Sequence, residues 1–229
     1  MNQRMTCLLA FPFLAITVLA QTPSTTSTVT QRSGVRGQLP AGWSIPDPGA
    51  GSVPEAYEVG LDRTVKHSGN ASAYIKAATL GAQGGFMALT QGIRAEQYRG
   101  KRLIFSGYIR TQEVVGSAGL WVQIGGGGGS VGFDNMRERP VKGTMDWAKY
   151  EVVLDVPENS VAIAFGFRLS GPGQAWVDDL NFEVVGQNVP VTNMPAVNRT
   201  NPANVDAQAR AAANMPTQPV NLDFEKLNP

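Results

Sequence analysis

Apolar and polar residues alternate with a period of two through most of the middle of this chain. In Val161–Leu169 the odd positions are Val161, Ile163, Phe165, Phe167 and Leu169, and the even ones are Ala162, Ala164, Gly166 and Arg168. Tyr150, Val152, Leu154 and Val156 repeat the pattern. Successive side chains of a strand point to opposite faces, so this spacing predicts strands with one buried face. The same reading gives strands at Met87–Gln91, Leu103–Thr111, Ala118–Ile124 and Ala175–Val185, bounded by Gly, Pro, Asn and Asp breakers. No segment between Leu39 and Val185 shows a helical period. The pattern predicts one all-β domain over 39–185, an antiparallel β-sandwich of jelly-roll type.

Gln174–Val185 breaks its own rule. Trp176, Leu180, Phe182 and Val184 share one parity and should meet the core, but Asp178 shares it too. A carboxylate on a core face is costly unless it is paired, hydrogen-bonded or metal-bound. The expectation is a polar knot or a structural cation at one end of the sandwich.

The flanks read differently. Met1–Arg4 is a short basic start, Leu8–Ala20 is apolar, and Val18 and Ala20 are small residues before Gln21. That pattern predicts a secretory leader, residues 1–20, and a secreted or periplasmic chain; the apolar run is short for a membrane span. Residues 21–38, rich in Thr, Ser and Gln, read as a flexible spacer. Residues 186–218, rich in Asn, Pro and Ala, read as a linker in which Asn204 or Asp206 would cap one short helix over 207–213. In 219–229, Val220, Leu222 and Phe224 alternate with Asn221, Asp223 and Glu225, which predicts a returning strand. A lone strand is not stable, so it must pair with its own domain or with a neighbouring chain.

Composition removes several function classes. Cys7 is the only cysteine and lies in the leader, so the mature chain has no disulfide, no thiolate metal site and no cysteine nucleophile. With 19 Lys+Arg against 18 Asp+Glu, there is no electrostatic footprint for nucleic acid or an anionic membrane. The single histidine, His67, lies in a turn without a partner cluster. No Gly-x-Ser-x-Gly elbow occurs, and Glu55, Glu58, Asp134, Glu138 and Asp146 are scattered over turns. The chain therefore reads as non-enzymatic. The Gly125–Gly129 run lacks the Gly-Lys-Ser/Thr of a phosphate loop and reads as a mobile hairpin tip.

Gly42-Trp43, Tyr57–Asp62, His67–Ser72, Tyr98–Lys101, Phe105–Tyr108, Asp146-Trp147 and Trp176–Asp179 follow a familiar order. The chain resembles the galactose-binding-like jelly rolls that include many carbohydrate-binding modules. It looks most like a bacterial subgroup of uncharacterised secreted or regulator-associated domains, through Phe133–Met136, Arg139–Thr144 and Asp146-Trp147. Naming in that subgroup sometimes invokes transcriptional regulators; no helix-turn-helix pattern is legible here and an export signal is, so that label does not carry over. Such jelly rolls commonly open with a strand of the type Asn-Leu-Asp-Phe-Glu. Here that motif stands at Asn221–Glu225, so the resemblance implies that the terminal segment folds back into the first-strand slot, or is donated to a second copy. It also implies one Ca²⁺ between first and last strands, held by Asp178 and Glu225 with carbonyls near 67–70. The alternative is that Asp178 accepts backbone N–H groups and no metal is present.

On the parity opposite to the core stand Tyr108, Arg110, Trp121, Gln123 and Arg168. If their strands are neighbours, these groups converge into an aromatic plate with donors, suited to a sugar ring. Phe133, Asn135 and Arg137, on the loop after the glycine run, would close over it. The bland alternative is ordinary exposed aromatics, with Trp43, Trp147 and Trp176 in the core or at corners. The reading that follows is an exported, non-catalytic ligand-binding sandwich, with a glycan as partner. The alternatives are an assembly protein that exchanges its terminal strand and a sensory domain related to the regulator-associated modules.

Overall fold

A computed structural model of the protein describes residues 37–45, 52–78, 82, 84–192 and 201–227. The leader expected over 1–20 and nearly all of the spacer expected over 21–38 lie outside the described residues. Eight strands form one curled antiparallel sheet: β1 (Tyr57–Asp62), β2 (Ser72–Ala77), β3 (Phe86–Arg94), β4 (Arg102–Gly126), β5 (Gly129–Asp134), β6 (Val141–Asp155), β7 (Ser160–Ser170) and β8 (Gln174–Val185). The β-sandwich reading holds. The segments read separately as 103–111 and 118–124 are one strand, β4, 25 residues long.

β4 belongs to both layers. Its first half pairs with β8 on one side and β6 on the other. Its second half pairs with β7 and β5. Between the halves the register with β6 shifts after Thr111 and again after Val114, and Glu113 has a positive φ of 55°. These irregularities bend the strand. The first layer is therefore β1-β2-β8-β4-β6 and the second β3-β7-β4-β5. Phe105 and Phe182 of the first layer meet Phe165 of the second at 5.2 and 4.5 Å between ring centroids. Ile163, Phe165, Phe167 and Leu169 are fully buried, as their alternation required.

Two expectations fail in β8 and at the C-terminus. Trp176 and Asp178 do not share a face with Leu180 and Phe182. Asp179 has a φ of 48°, and the β4–β8 register slips by one residue between Ser106 and Tyr108. This bulge switches parity, so Ala175 and Val177 face the core before it, and Leu180 and Phe182 after it. Asp178 points to the outer side and is covered there by the loop between β1 and β2.

The segment 219–227 is a hook, not a strand. Asn221 and Phe224 have φ of 50° and 57°, which no strand allows. It docks on its own domain. Gln91 uses its side-chain oxygen for the Val220 N–H (2.8 Å) and its amide nitrogen for the Val220 carbonyl (3.0 Å). Leu180 N–H donates to Leu222, and the Trp43 indole to the Asn221 carbonyl. Phe224 is 0 % exposed and lies 5.2 Å from Trp43.

The stretch read as a linker is also part of the body where it is described. The Arg102 guanidinium donates to the Gln187 and Val189 carbonyls, and the Thr192 hydroxyl to Asp134. Helix α1 (Val205–Ala213) forms where the sequence placed a short helix, although Asn204 makes no side-chain cap bond. It lies on the outer side of the second layer, over small residues. A side chain at Gly125 would strike Gln208, and one at Gly92 would press on Met215 just beyond the helix. No helix among the described residues is long and apolar enough to cross a membrane.

Candidate functional site

Ladder pairing fixes what shares the outer side of the second layer. Trp121 is opposite Gly166, which is opposite Thr90; Gly119 is opposite Arg168; Gln123 is opposite Ala164 and Phe133. Directly paired residues point to the same side, so Trp121, Gln123 and Arg168 share one surface, with Arg168 diagonal to Trp121. Gly166 has to be glycine, because a Cβ there would lie 1.9 Å from the Leu89 carbonyl oxygen and 3.1 Å from the Trp121 indole nitrogen. The indole thus rests close on bare backbone. Its Nε1 is buried and has no acceptor.

Two walls bound this strip. At one end α1 and Met215 cover the Gly92, Ala164 and Gly125 rows. At the other, the loop after β5 rises beside the β4 bend. Asp134 anchors that loop. It is 0 % exposed and accepts the Met136 N–H (2.8 Å), the Thr192 hydroxyl (2.6 Å) and two N–H groups of Arg139 (2.8 and 3.2 Å). Met136, at φ 57° and 1 % exposed, plugs the gap beside Gly119, and its sulfur accepts the Leu120 N–H. This is the physical content of the Phe-Asp-Asn-Met and Arg-Pro-Val-Lys block: a buried carboxylate paired with a partly exposed guanidinium, and a sulfur plug, which hold a loop in one shape.

The loop and the bend enclose a cleft of about 360 Å³, lined by Gly116, Ser117, Asn135, Arg137, Pro140, Lys142 and Arg168. Gly116 lets the bend approach β7, since a Cβ would lie 2.2 Å from the Ser170 carbonyl oxygen. The Arg168 guanidinium lies 5.6 Å over the Phe86 ring. Burial pushes its pKa below the ordinary value; the Tyr57 ring opposes this and the Arg137 charge adds to it.

The structure therefore brings together Trp121, Gln123, Arg168 and Asn135. It separates Tyr108 and Arg110 from them, because the bend in β4 carries those two onto the outer side of the first layer. There, Tyr108 is stacked under His67 at 3.7 Å. Arg110 lies 5.9 Å over Trp176 and 3.7 Å from Asp146. A second cleft of about 430 Å³ beside them has mixed charge, with Arg110, Glu113 and Asp146. Sequence reasoning overlooked Lys142 and Ser117. Lys142 belongs to the Arg139–Thr144 block, and only the fold shows that it lines one cleft with Arg137 and Arg168.

The acidic pair Asp178 and Glu225 converges on one loop. Asp178, 1 % exposed, accepts N–H groups from His67 (2.9 Å), Ser68 (3.1 Å) and Asp179 (2.8 Å). Burial raises its pKa in spite of these bonds. Glu225 accepts the backbone N–H of Asn70 (2.6 Å) and its side-chain amide (3.1 Å). The donors that face both carboxylates are N–H groups, whereas Ca²⁺ needs a shell of oxygens. As arranged, the pair does not fit a calcium ion. Among the described residues, no group of three or more His, Cys, Asp or Glu side chains is placed to hold a metal.

No family model matches the chain. It is 40 % identical over 186 residues to an uncharacterized HTH-type transcriptional regulator, YbfP, of Bacillus subtilis (strain 168), a match that covers 81 % of this chain and 57 % of that protein. The chain thus spans little more than half the length of that relative. Among solved structures it is similar to the CBM22-1 xylan-binding domain of Paenibacillus barcinonensis Xyn10C, at 15 % identity and a TM-score of 0.45, with 67 % of this chain and 91 % of that one covered. It is also similar to a cyclase from Fischerella sp. TAU, at 15 % identity and a TM-score of 0.47, with 66 % and 88 % covered. At these scores neither likeness bears on ligand or chemistry.

Proposed function

We propose that this protein is an exported, non-catalytic carbohydrate-binding sandwich whose site is the walled strip of the second layer. The observation that supports this most is the placement of Trp121. It lies on an outer surface between α1 and the loop after β5, with Gln123 on its own strand and Arg168 diagonal to it. A flat indole between donor side chains offers an apolar platform for one side of a sugar ring and partners for its hydroxyls. A shallow strip desolvates little area, so affinity per site is modest. The leader-like residues 1–20 support export.

The test is a glycan array with the wild-type protein and Trp121→Ala. Binding that Trp121→Ala abolishes supports the reading; a silent array overturns it. Recovery of the mature chain beginning at Gln21 outside the cytoplasm tests export.

The match to a protein named as a transcriptional regulator favours a second reading, in which the same strip senses its ligand. A sensor changes hydrogen-exchange protection in 201–227 when the ligand binds, because α1 forms one wall. A retention module changes protection only along the strip.

A further inference from the structure

The walled strip has a charged end. Arg137, Lys142 and Arg168 line its cleft together with Asn135, and no acidic side chain is among the lining residues. Two other guanidinium groups in the fold are matched by carboxylates: Arg102 by Asp155 at 2.7 Å and Arg139 by Asp134 at 2.8 Å. Among the described residues, no carboxylate pairs with Arg137, Lys142 or Arg168, and none of these three side chains donates a hydrogen bond within the protein. Arg168 is supported from behind by the Phe86 ring, which leaves its planar fork of N–H groups available to the cleft. Its partial burial beside a like charge is a cost that a bound anion relieves.

We propose that this cleft takes the carboxylate of an acidic saccharide, a uronic acid unit, while neighbouring rings of the same chain run over Trp121. The proposal rests on the carbohydrate reading above. A planar carboxylate matches the Arg168 fork in two parallel hydrogen bonds, with Asn135 and Lys142 placed for the sugar hydroxyls and the remaining charge. The position of Trp121, diagonal to Arg168, makes a sugar acid a better match than a free inorganic anion, which would leave the indole unused.

Calorimetric titration of the whole protein tests this. The probes are oligomers of galacturonate, glucuronate and mannuronate, each beside its carboxyl-reduced form, and inorganic phosphate. At least one acidic oligomer should bind roughly tenfold tighter than its reduced form, the order that one charge-assisted pair supplies. That advantage should vanish in Arg168→Gln and in the double variant Arg137→Gln/Lys142→Gln, and shrink at raised salt. Trp121→Ala should weaken both forms. Arg168→Lys, which keeps the charge but not the fork, should retain only part of the advantage; near-ultraviolet circular dichroism confirms that each variant is folded. If reduced forms bind as tightly as acidic ones, the charged cleft is not used and the carbohydrate reading stands alone. If only phosphate binds, and Arg168→Gln abolishes it, the cleft is an anion site without a saccharide and both proposals fall. Silence toward every probe overturns both as well.

Discussion

The imidazole of His67 lies flat on the ring of Tyr108, with centroids 3.7 Å apart and planes 14° apart. His67 Nδ1 is also 2.6 Å from Asp179 Oδ2, and the Ser68 hydroxyl donates to the other oxygen of Asp179. The lone histidine is thus a clasp that closes the loop between β1 and β2 over β4 and β8. It also uses up the side of Tyr108 that a sugar would need. Tyr108→Ala should lower stability by about 0.5–1.5 kcal/mol beyond the area lost, typical of an aromatic pair. It should leave saccharide affinity unchanged, since Trp121 lies on the other layer. Differential scanning fluorimetry and calorimetric titration of one variant check both halves.

Asp178 receives three backbone N–H groups and is almost sealed from water. Asp178→Asn offers one oxygen for those donors and turns an NH₂ toward at least one of them. The cost of a buried unmatched donor is about 1–3 kcal/mol. EDTA and Ca²⁺ should leave the wild-type melting temperature where it is, because N–H groups already fill the oxygens. A drop with EDTA that Ca²⁺ reverses would show that the loop opens to admit an ion.

Asp62 should set an acid limit. Partial burial raises its pKa, but the N–H groups of Val65 and Thr64, the Thr64 hydroxyl and the Trp176 indole together hold it at about 2, down from 3.8. A depressed carboxylate contributes stability that is complete above its unfolded value and is lost as pH falls from 3.8 toward 2. Asp178 runs the other way: its raised pKa means that the folded state takes up that proton more readily, so its contribution grows on acidification. Urea midpoints measured against pH should therefore fall less steeply in Asp62→Asn than in the wild type.

Phe224 is the largest anchor of the C-terminal hook. Phe224→Ala should cost about 3–5 kcal/mol, as buried Phe→Ala changes do. For a domain of this size that is a fall of roughly 6–20 °C in melting temperature. Removal of 219–229 should do at least as much, and the shortened chain should elute earlier through aggregation. A truncated chain that melts with the wild type would mean the hook is ornamental.

The alternation in Val161–Leu169 was legible because both layers need an unbroken strand there, and nothing local competes. The same logic misread Gln174–Val185. Parity survives only while the ladder is regular, and the left-handed Asp179 moves every later side chain across the sheet. Tyr108 and Trp121 looked like neighbours on one plate because they belong to one strand of matching parity. The bend near Glu113 places them on different layers, and no composition signal marks it apart from Gly116. In 219–227 the apolar spacing correctly singled out Phe224 as buried, but Asn221 and Phe224 take turn conformations that the alternation concealed.

Because β4 is stitched into both layers, neither can peel away while the other stays native. Opening the hydrophobic middle requires breaking the one segment that every central neighbour leans on. Amides along its whole length should then exchange through a single global event, and intermediates with half a sandwich should be sparse.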